Sequence, residues 1–448
     1  MPTVPAASSL DRLSAPAPPG RFLSNGRYSV LITSAGTGFS TLGECRLNVW
    51  SGDRVEDPDG FIIYLRDMES DTTWSAGDQP VRHPARSYGC IWRPGLFVID
   101  RTDGVITTRT EICVPSDDSF ELRRVSLINR GDLPRVIELT SSIEVLLGSA
   151  ASHAAHPAFS KLFIQTEWAP QAHALIASRR PRAHGESHPC MFHALLENGE
   201  VEYETDRARF LGRLRSHASP RAMRPGIGLS GTVGNVLDPI LSLRRVIPLA
   251  PGENATSTFV LGAARDRVEA VDLIRRLARE HVAADLFEPA LARESRVLRE
   301  SGLSEIEAEY AQDIAAAMLY GHPALRCSSP VLERAHGSPD DLERIGVSWR
   351  RPFAVLHAER PGGARLLSKL LAIHRYWRAL ALEIDLLILC DEPARVRLEA
   401  GDALGDEIRV AGIADLSPTV RDRVDAAARM VVDDLLPDLG AVPTRSGS

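Results

Sequence analysis

Lysine is almost missing from this 448-residue chain: Lys161 and Lys369 are the whole supply, and arginine carries the rest of the positive charge. A GC-rich genome accounts for such a bias, and phosphate recognition by forked guanidinium groups is the alternative. A dominant basic field is missing too. The net charge of −7 argues against a nucleic-acid protein, which needs one to meet phosphates. The six cysteines (Cys45, Cys90, Cys113, Cys190, Cys327 and Cys390) form no CxxC pair, so neither a zinc site nor a thioredoxin-like motif is indicated. Cysteines scattered in this way fit a reducing compartment. Met1 to Gly20 is rich in Pro, Ala and Ser without an apolar core, so no signal peptide is expected. No run approaches 18 uncharged apolar residues; the best, Ala379 to Cys390, carries Glu383 and Asp385. The expectation is a soluble, cytoplasmic protein with no membrane insertion of its own, for which the inner face of the cell membrane is open only through partners.

What is present is an ordinary globular composition, 44% hydrophobic and 25% charged, long enough for about three domains. From Arg21 to about Arg265 short apolar runs alternate with turn chemistry such as Asp-Pro-Asp-Gly and Asn-Arg-Gly-Asp. Strands are predicted at 28–33, 61–66, 96–100, 106–114, 120–129, 135–147, 161–167, 174–178, 191–196, 201–204, 241–248 and 254–262. In Phe120–Asn129 neither face is cleanly polar, which suits a strand covered on both sides. A dozen strands without a long helix predict a large antiparallel β-sandwich.

After Arg265 the period changes. Residues 266–301 and 304–319 repeat apolar positions at three- and four-residue spacing, Gly302 ends the first stretch, and Pro289 is expected to break or kink it. Residues 353–358, 364–382 and 384–390 then read as strand, helix and strand of a parallel α/β unit, with a further strand at 407–413. A last helix from Ser417-Pro418 to about Leu436 completes it. The division is a tail at 1–20, a sandwich at 21–265, a helical linker at 266–320, a small α/β domain at 321–436, and a tail at 437–448.

Several motifs carry a resemblance. Phe22-Leu23-Ser24-Asn25-Gly26-Arg27-Tyr28, Tyr64-Leu65-Arg66-Asp67, Trp74-Ser75-Ala76-Gly77-Asp78-Gln79-Pro80 and Ala155-His156-Pro157-Ala158-Phe159-Ser160-Lys161 belong to the set. Tyr203-Glu204-Thr205-Asp206-Arg207-Ala208-Arg209-Phe210-Leu211-Gly212-Arg213, Leu237-Asp238-Pro239 and His374-Arg375-Tyr376-Trp377 complete it. In this order they resemble the sandwich-containing segment of cyclic β-1,2-glucan synthases, whose sandwich is the supersandwich of glycoside hydrolase family 94, once glycosyltransferase family 36. The resemblance implies relatives among inverting disaccharide phosphorylases, where an (α/α)6 barrel after the linker supplies the general acid.

Inverting phosphorolysis needs a protonated carboxyl on one face of the bond and phosphate on the other. This chain has no Trp-Asn-Asp-Gly-like acid motif, and about 128 residues after the linker are too few for twelve barrel helices. We therefore expect no catalytic residue, no metal, no cofactor and no activity of the chain alone. The expected role is a carbohydrate-binding accessory module or split segment. Its partners would be a β-glucan oligosaccharide and separately encoded catalytic domains; a phosphorylase-type enzyme and an inactive remnant are the alternatives. Sugar-binding candidates are Trp74, Gln79, Trp168, Tyr203, Asp206, Arg207, Phe210 and Arg213. A tryptophan taken alone is more often core packing than a sugar platform, and Asp206 beside Arg207 and Arg209 reads first as an ion pair or turn residue. Glu167 and Asp238 are further carboxylates in family-like motifs. His153 and His156 lack an acidic partner at ligand spacing, and Arg179-Arg180-Pro181-Arg182 reads as a solvated loop. Two departures from the family pattern, at Gly38-Phe39-Ser40-Thr41-Leu42 and Gly346-Val347-Ser348-Trp349-Arg350, remove an arginine, an aromatic and an acid.

Overall fold

The computed structural model describes residues 18–182, 185–279, 282–338, 340–348, 351–401 and 404–439. The expected tails therefore lie outside the described residues up to Ala17 and from Gly440, as do Trp349 and Arg350. The chain divides into two compact units, Met1–Ser295 and Arg296–Ser448.

In the first unit two antiparallel sheets face each other. The nine-stranded sheet runs Gly20–Ser24, Tyr28–Thr33, Gly38–Leu42, Cys45–Asn48, Arg135–Gly148, Pro239–Leu249, Glu202–Asp206, with Phe61–Asp67 and Thr72–Ser75 joined at the same side of Arg135–Gly148 as Cys45–Asn48. The eight-stranded sheet runs Ile164–Ala169, Ala174–Arg179, Cys190–Leu195, Asn254–Ala264, Phe120–Asn129, Ile106–Cys113, Leu96–Asp103, Ser87–Arg93. Alternate residues of both sheets meet between them: Ile63, Leu65, Ile137 and Leu139 from one, Val125, Leu127, Leu175 and Phe259 from the other. The strand period of two dictates that split.

The opposite face of the eight-stranded sheet is covered as well. Phe120, Leu122, Ile176, Phe192 and Val260 pack under Ala270, Val271, Ile274 and Leu277 of the helix Arg267–Leu277. That is why Phe120–Asn129 reads apolar on both faces. Approach is close here, since a Cβ on Gly262 would sit 2.5 Å from Phe120 and Phe192. Beneath the nine-stranded sheet a smaller apolar cluster of Ile62, Tyr64 and Ile240 holds Phe210, Leu211, Ala222 and Met223.

Twelve strands were legible and five more exist: Gly20–Ser24, Gly38–Leu42, Cys45–Asn48, Thr72–Ser75 and Ser87–Arg93. They are short or rich in Gly, Ser and Thr, so tertiary pairing rather than pattern makes them strands. Lys161 is not in a strand; it ends the short helix Pro157–Lys161, and the strand starts at Ile164. The helical stretch is broken next to Pro289 rather than kinked at it: Val282–Asp285 ends and Phe287–Ser301 begins just before the proline, whose place in a first turn needs no N–H.

In the second unit Ser304 and Glu307 form a reciprocal capping box at the helix Glu305–Tyr320. Trp377 of the helix Pro361–Ala379 donates its indole N–H to Ala311 O at 2.8 Å, and Gln312 donates to the Tyr376 hydroxyl at 2.7 Å. A four-stranded parallel sheet follows, ordered Ile408–Gly412, Asp385–Cys390, Phe353–His357, Met430–Val432. The final helix stops at Ala427, earlier than expected, and the chain returns as the strand Met430–Val432. A three-residue strand is too short to show a period in sequence.

His357 ends its strand buried, with Nδ1 2.8 Å from Glu359 and Nε2 2.9 Å from Asp425. Burial alone would disfavour the imidazolium, but the two carboxylates overcome it and raise His357 to about 9. The raised folded-state value means this contribution is complete below about 6.5 and fades as pH rises through about 9. In pH-resolved urea unfolding, His357→Gln should cost on the order of 3 kcal/mol near neutrality and little above pH ~9.5. An unchanged pH profile would refute the clamp.

Candidate functional site

Arg135–Gly148 is the longest strand, and its residues Ile143 and Val145 point into the inter-sheet core. Glu144 between them must therefore face the other way. Its side chain is only 13% exposed, so a carboxylate there needs cations. Two short helices deliver Lys161 and Arg207, and a loop adds His217. Lys161 Nζ lies 3.6 Å from Glu144 Oε2, His217 Nε2 lies 2.8 Å from Oε1, and Arg207 Nε donates to the same oxygen. Asp238, immediately before the strand Pro239–Leu249, completes the set at 2.5 Å from Lys161 Nζ and 3.3 Å from Arg207 Nη1. Tyr64 donates to His217 O at 3.0 Å and Arg207 N to Asp238 O at 3.0 Å, so backbone bonds hold the same loops.

Burial pushes Glu144 up, but the His217 hydrogen bond and the Arg207 and Lys161 charges outweigh it and hold the carboxyl at about 2. It is ionised throughout the neutral range and cannot donate the proton that glycosidic cleavage needs. The carboxyls that burial does raise, Asp78, Glu197 and Asp385, belong to other parts of the fold. The arrangement can fix loops and present their outer residues; it has no general acid. Among the described residues no group of three or more His, Cys, Asp or Glu is placed to hold a metal.

The structure separates the eight sugar-binding candidates. Trp74 is 2% exposed and belongs to the core between the sheets, so its face is closed to a sugar ring. Phe210, 1% exposed, packs on Tyr64 with centroids 6.0 Å apart. Gln79 is half-buried near Ala35, far along the fold from the motif loops in its contacts. Trp168 and Tyr203 come together as a stacked pair, centroids 4.3 Å apart and planes 12° off parallel. Both are half-buried where an edge strand of each sheet meets the other, and the stacking consumes one face of each ring. Asp206 caps the helix Arg207–Leu211 by accepting from Ala208 N at 2.9 Å and lies 3.6 Å from Arg209. Arg207 enters the Glu144 network, and Arg213 is exposed.

Sequence reasoning missed Glu144 and His217. The available signal was one acid inside the apolar run Ile-Glu-Val-Leu-Leu, where only a buried partner makes an ionised side chain tolerable. Glu167 pairs with Arg267 at 2.6 Å outside the network. His153 Nδ1 is 3.0 Å from Ser160 Oγ. Arg179 is not solvated: it is 8% exposed and donates to Ser160 O at 2.8 Å.

With this geometry in place, the glycosyl hydrolase 94 supersandwich domain model matches residues 7–280, more than half of the chain. The chain belongs to that family. Cyclic beta-(1,2)-glucan synthase NdvB of Rhizobium meliloti is 31% identical to this supersandwich chain over 88% of its length. Solabiose phosphorylase of Paenibacillus borealis is 24% identical over 51%, and N,N'-diacetylchitobiose phosphorylase of Vibrio furnissii 25% over 58%. The alignments span 14%, 29% and 32% of those relatives, so the chain corresponds to a minor part of each. No described helix is long and apolar enough to cross a membrane.

Because the supersandwich's Glu144 is held low, it stabilises the fold fully above about pH 4.5, and that contribution is lost as pH falls toward about 2. Glu144→Gln should cost about 3 kcal/mol in urea unfolding at pH 7 and flatten this part of the acid limb. Phe210→Ala should cost about 3–5 kcal/mol and Arg213→Ala, on the same motif, within about 0.5 kcal/mol. Equal effects from the last pair would contradict their placement.

Proposed function

We propose that this chain is an accessory module of a cyclic β-1,2-glucan synthase system, engaging β-glucan chains without cleaving them. The observation that carries this reading is the Glu144 network: motif loops from 161, 207 and 238 converge on a carboxylate held at about 2. Such a site organises a surface and supplies no acid. The described part of the second unit supports the same conclusion, since it contains a parallel sheet instead of a ring of paired helices. The relationship to NdvB supports the choice of glucan.

Trp168 and Tyr203 mark the sugar-facing edge. Tyr203 leads along its strand into Asp206 and Arg207, and Gly231 lies beside its ring, where a Cβ would come 3.6 Å from Cζ. A glucose ring would lie on the remaining face of Trp168 with polar groups of the loop on its hydroxyls. Exposed Phe159, Leu162 and Leu237 flank Lys161 and Asp238 in sequence and provide apolar contact for a separately encoded catalytic domain. A phosphorylase-type enzyme and an inactive remnant remain the competing readings.

Calorimetric titration with linear and cyclic β-1,2-glucans should give dissociation constants between about 1 mM and 1 μM. Trp168→Ala should weaken binding about tenfold or more, with thermal unfolding retained. No heat at millimolar glucan would favour the remnant. Release of sugar 1-phosphate from sophorose or cellobiose with phosphate would establish the enzyme reading instead.

A further inference from the structure

From Arg207 to Leu237 the chain contains six arginines and no acidic residue, a strongly basic run inside a protein of net charge −7. Arg207 is spent on Glu144 and Asp238, and Arg209 lies 3.6 Å from Asp206. The other four, Arg213, Arg215, Arg221 and Arg224, are exposed and pair with no carboxylate among the described residues. Two of them, Arg215 and Arg221, are held close together. Gly212 has φ +80°, and a Cβ there would sit 2.9 Å from Arg221 Cβ and 3.4 Å from Arg215 Cδ.

This loop is a platform with a fixed base. Phe210, Leu211, Ala222 and Met223 anchor its two ends in the apolar cluster beneath the nine-stranded sheet. Arg244, itself 2% exposed, donates to Ala222 O at 2.6 Å and to Ile227 O at 2.7 Å. Arg215 Nη1 donates to Ser219 O at 3.1 Å. Between Arg213 and Arg215 stands Leu214, 95% exposed and at φ +62°. A leucine in the left-handed region carries a steric cost that glycine or asparagine would avoid, and full exposure returns nothing to the fold. A residue that is both strained and bare is a candidate for contact with a partner.

We propose that the Gly212–Arg224 loop docks this unit on an anionic phospholipid surface. The four arginines would sit at headgroup phosphates and Leu214 would enter the acyl boundary. Guanidinium groups suit phosphate oxygens by their forked donors. Leu214 decides among anionic partners: a phosphodiester backbone offers it no apolar phase and an acidic peptide only single side chains, whereas a bilayer offers a continuous one. Arg213 through Arg224 also contains no Phe, Tyr or Trp on which a nucleobase would stack, and its His217 is tied to Glu144. The proposal stands apart from glucan binding, which lies with Trp168 and Tyr203.

The test is sedimentation of the full chain with vesicles of phosphatidylcholine alone or with about one third phosphatidylglycerol, in about 0.1 M and about 0.5 M salt. Binding should be at least about tenfold stronger on the anionic vesicles and fall at the higher salt. Leu214→Asn relieves the backbone strain, so it should unfold no more easily than the parent while binding about tenfold more weakly. Arg213→Ser with Arg224→Ser should lose binding with an unchanged circular dichroism spectrum. Equal binding to both vesicle types, undiminished binding of Leu214→Asn, or tighter binding to a single-stranded RNA oligomer would each overturn the assignment.

Discussion

The first unit depends on neutralising one desolvated carboxylate. Glu144 sits on the longest strand with core residues on both sides, and its position along the strand gives it no choice of face. An ionised group so poorly hydrated is tolerable only with cations at hydrogen-bond distance. Lys161 and Arg207 come from two separate segments to supply them, and a third segment adds the His217 ring nitrogen at 2.8 Å. Asp238 then balances the excess positive charge, so the network is closed on itself. The outer residues of these segments, among them Phe159 and Leu237, are displayed because their inner neighbours are tied.

The same architecture repeats elsewhere without the functional consequence. Glu138 on that strand accepts from Arg66 at 2.9 Å and lies 3.3 Å from Arg244, joining three neighbouring strands through a carboxylate 5% exposed. Arg244 also holds the backbone of the 207–227 segment. Two acids six residues apart thus secure the sheet and the layer beneath it. Tyr203 and the bare arginines at 213–224 are carried on the nine-stranded sheet and the layer beneath it, while Trp168 reaches Tyr203 from the edge of the other sheet.

Much of the fold was legible because hydrophobic periodicity survives into structure. Phe120–Asn129 and Tyr28–Thr33 match their expected ends, and the double coverage of Phe120–Asn129 was visible in its two apolar faces. The capped helix at Ser304 and the parallel strands at 353–357 and 385–390 follow from local signals of the same kind. Gly38–Leu42, Cys45–Asn48 and Thr72–Ser75 escaped because a four- or five-residue strand of small polar residues has no pattern of its own. Its strand character comes from the ladder it joins.

For the site, residue chemistry named segments and long-range geometry decided what each side chain touches. The 203–213 motif held five candidates, and folding sent them different ways: Phe210 into a core, Asp206 to a helix cap, Arg207 to Glu144, Tyr203 against Trp168, Arg213 to the surface. Local sequence determined the sandwich, the helical stretch and the α/β unit, since period, caps and turns act over a few residues. Only tertiary structure decided which aromatics are closed to solvent and which carboxylate is ionised. Burial and pairing are set by residues 60 to 100 positions away, as between Glu144 and Arg207 or Asp238.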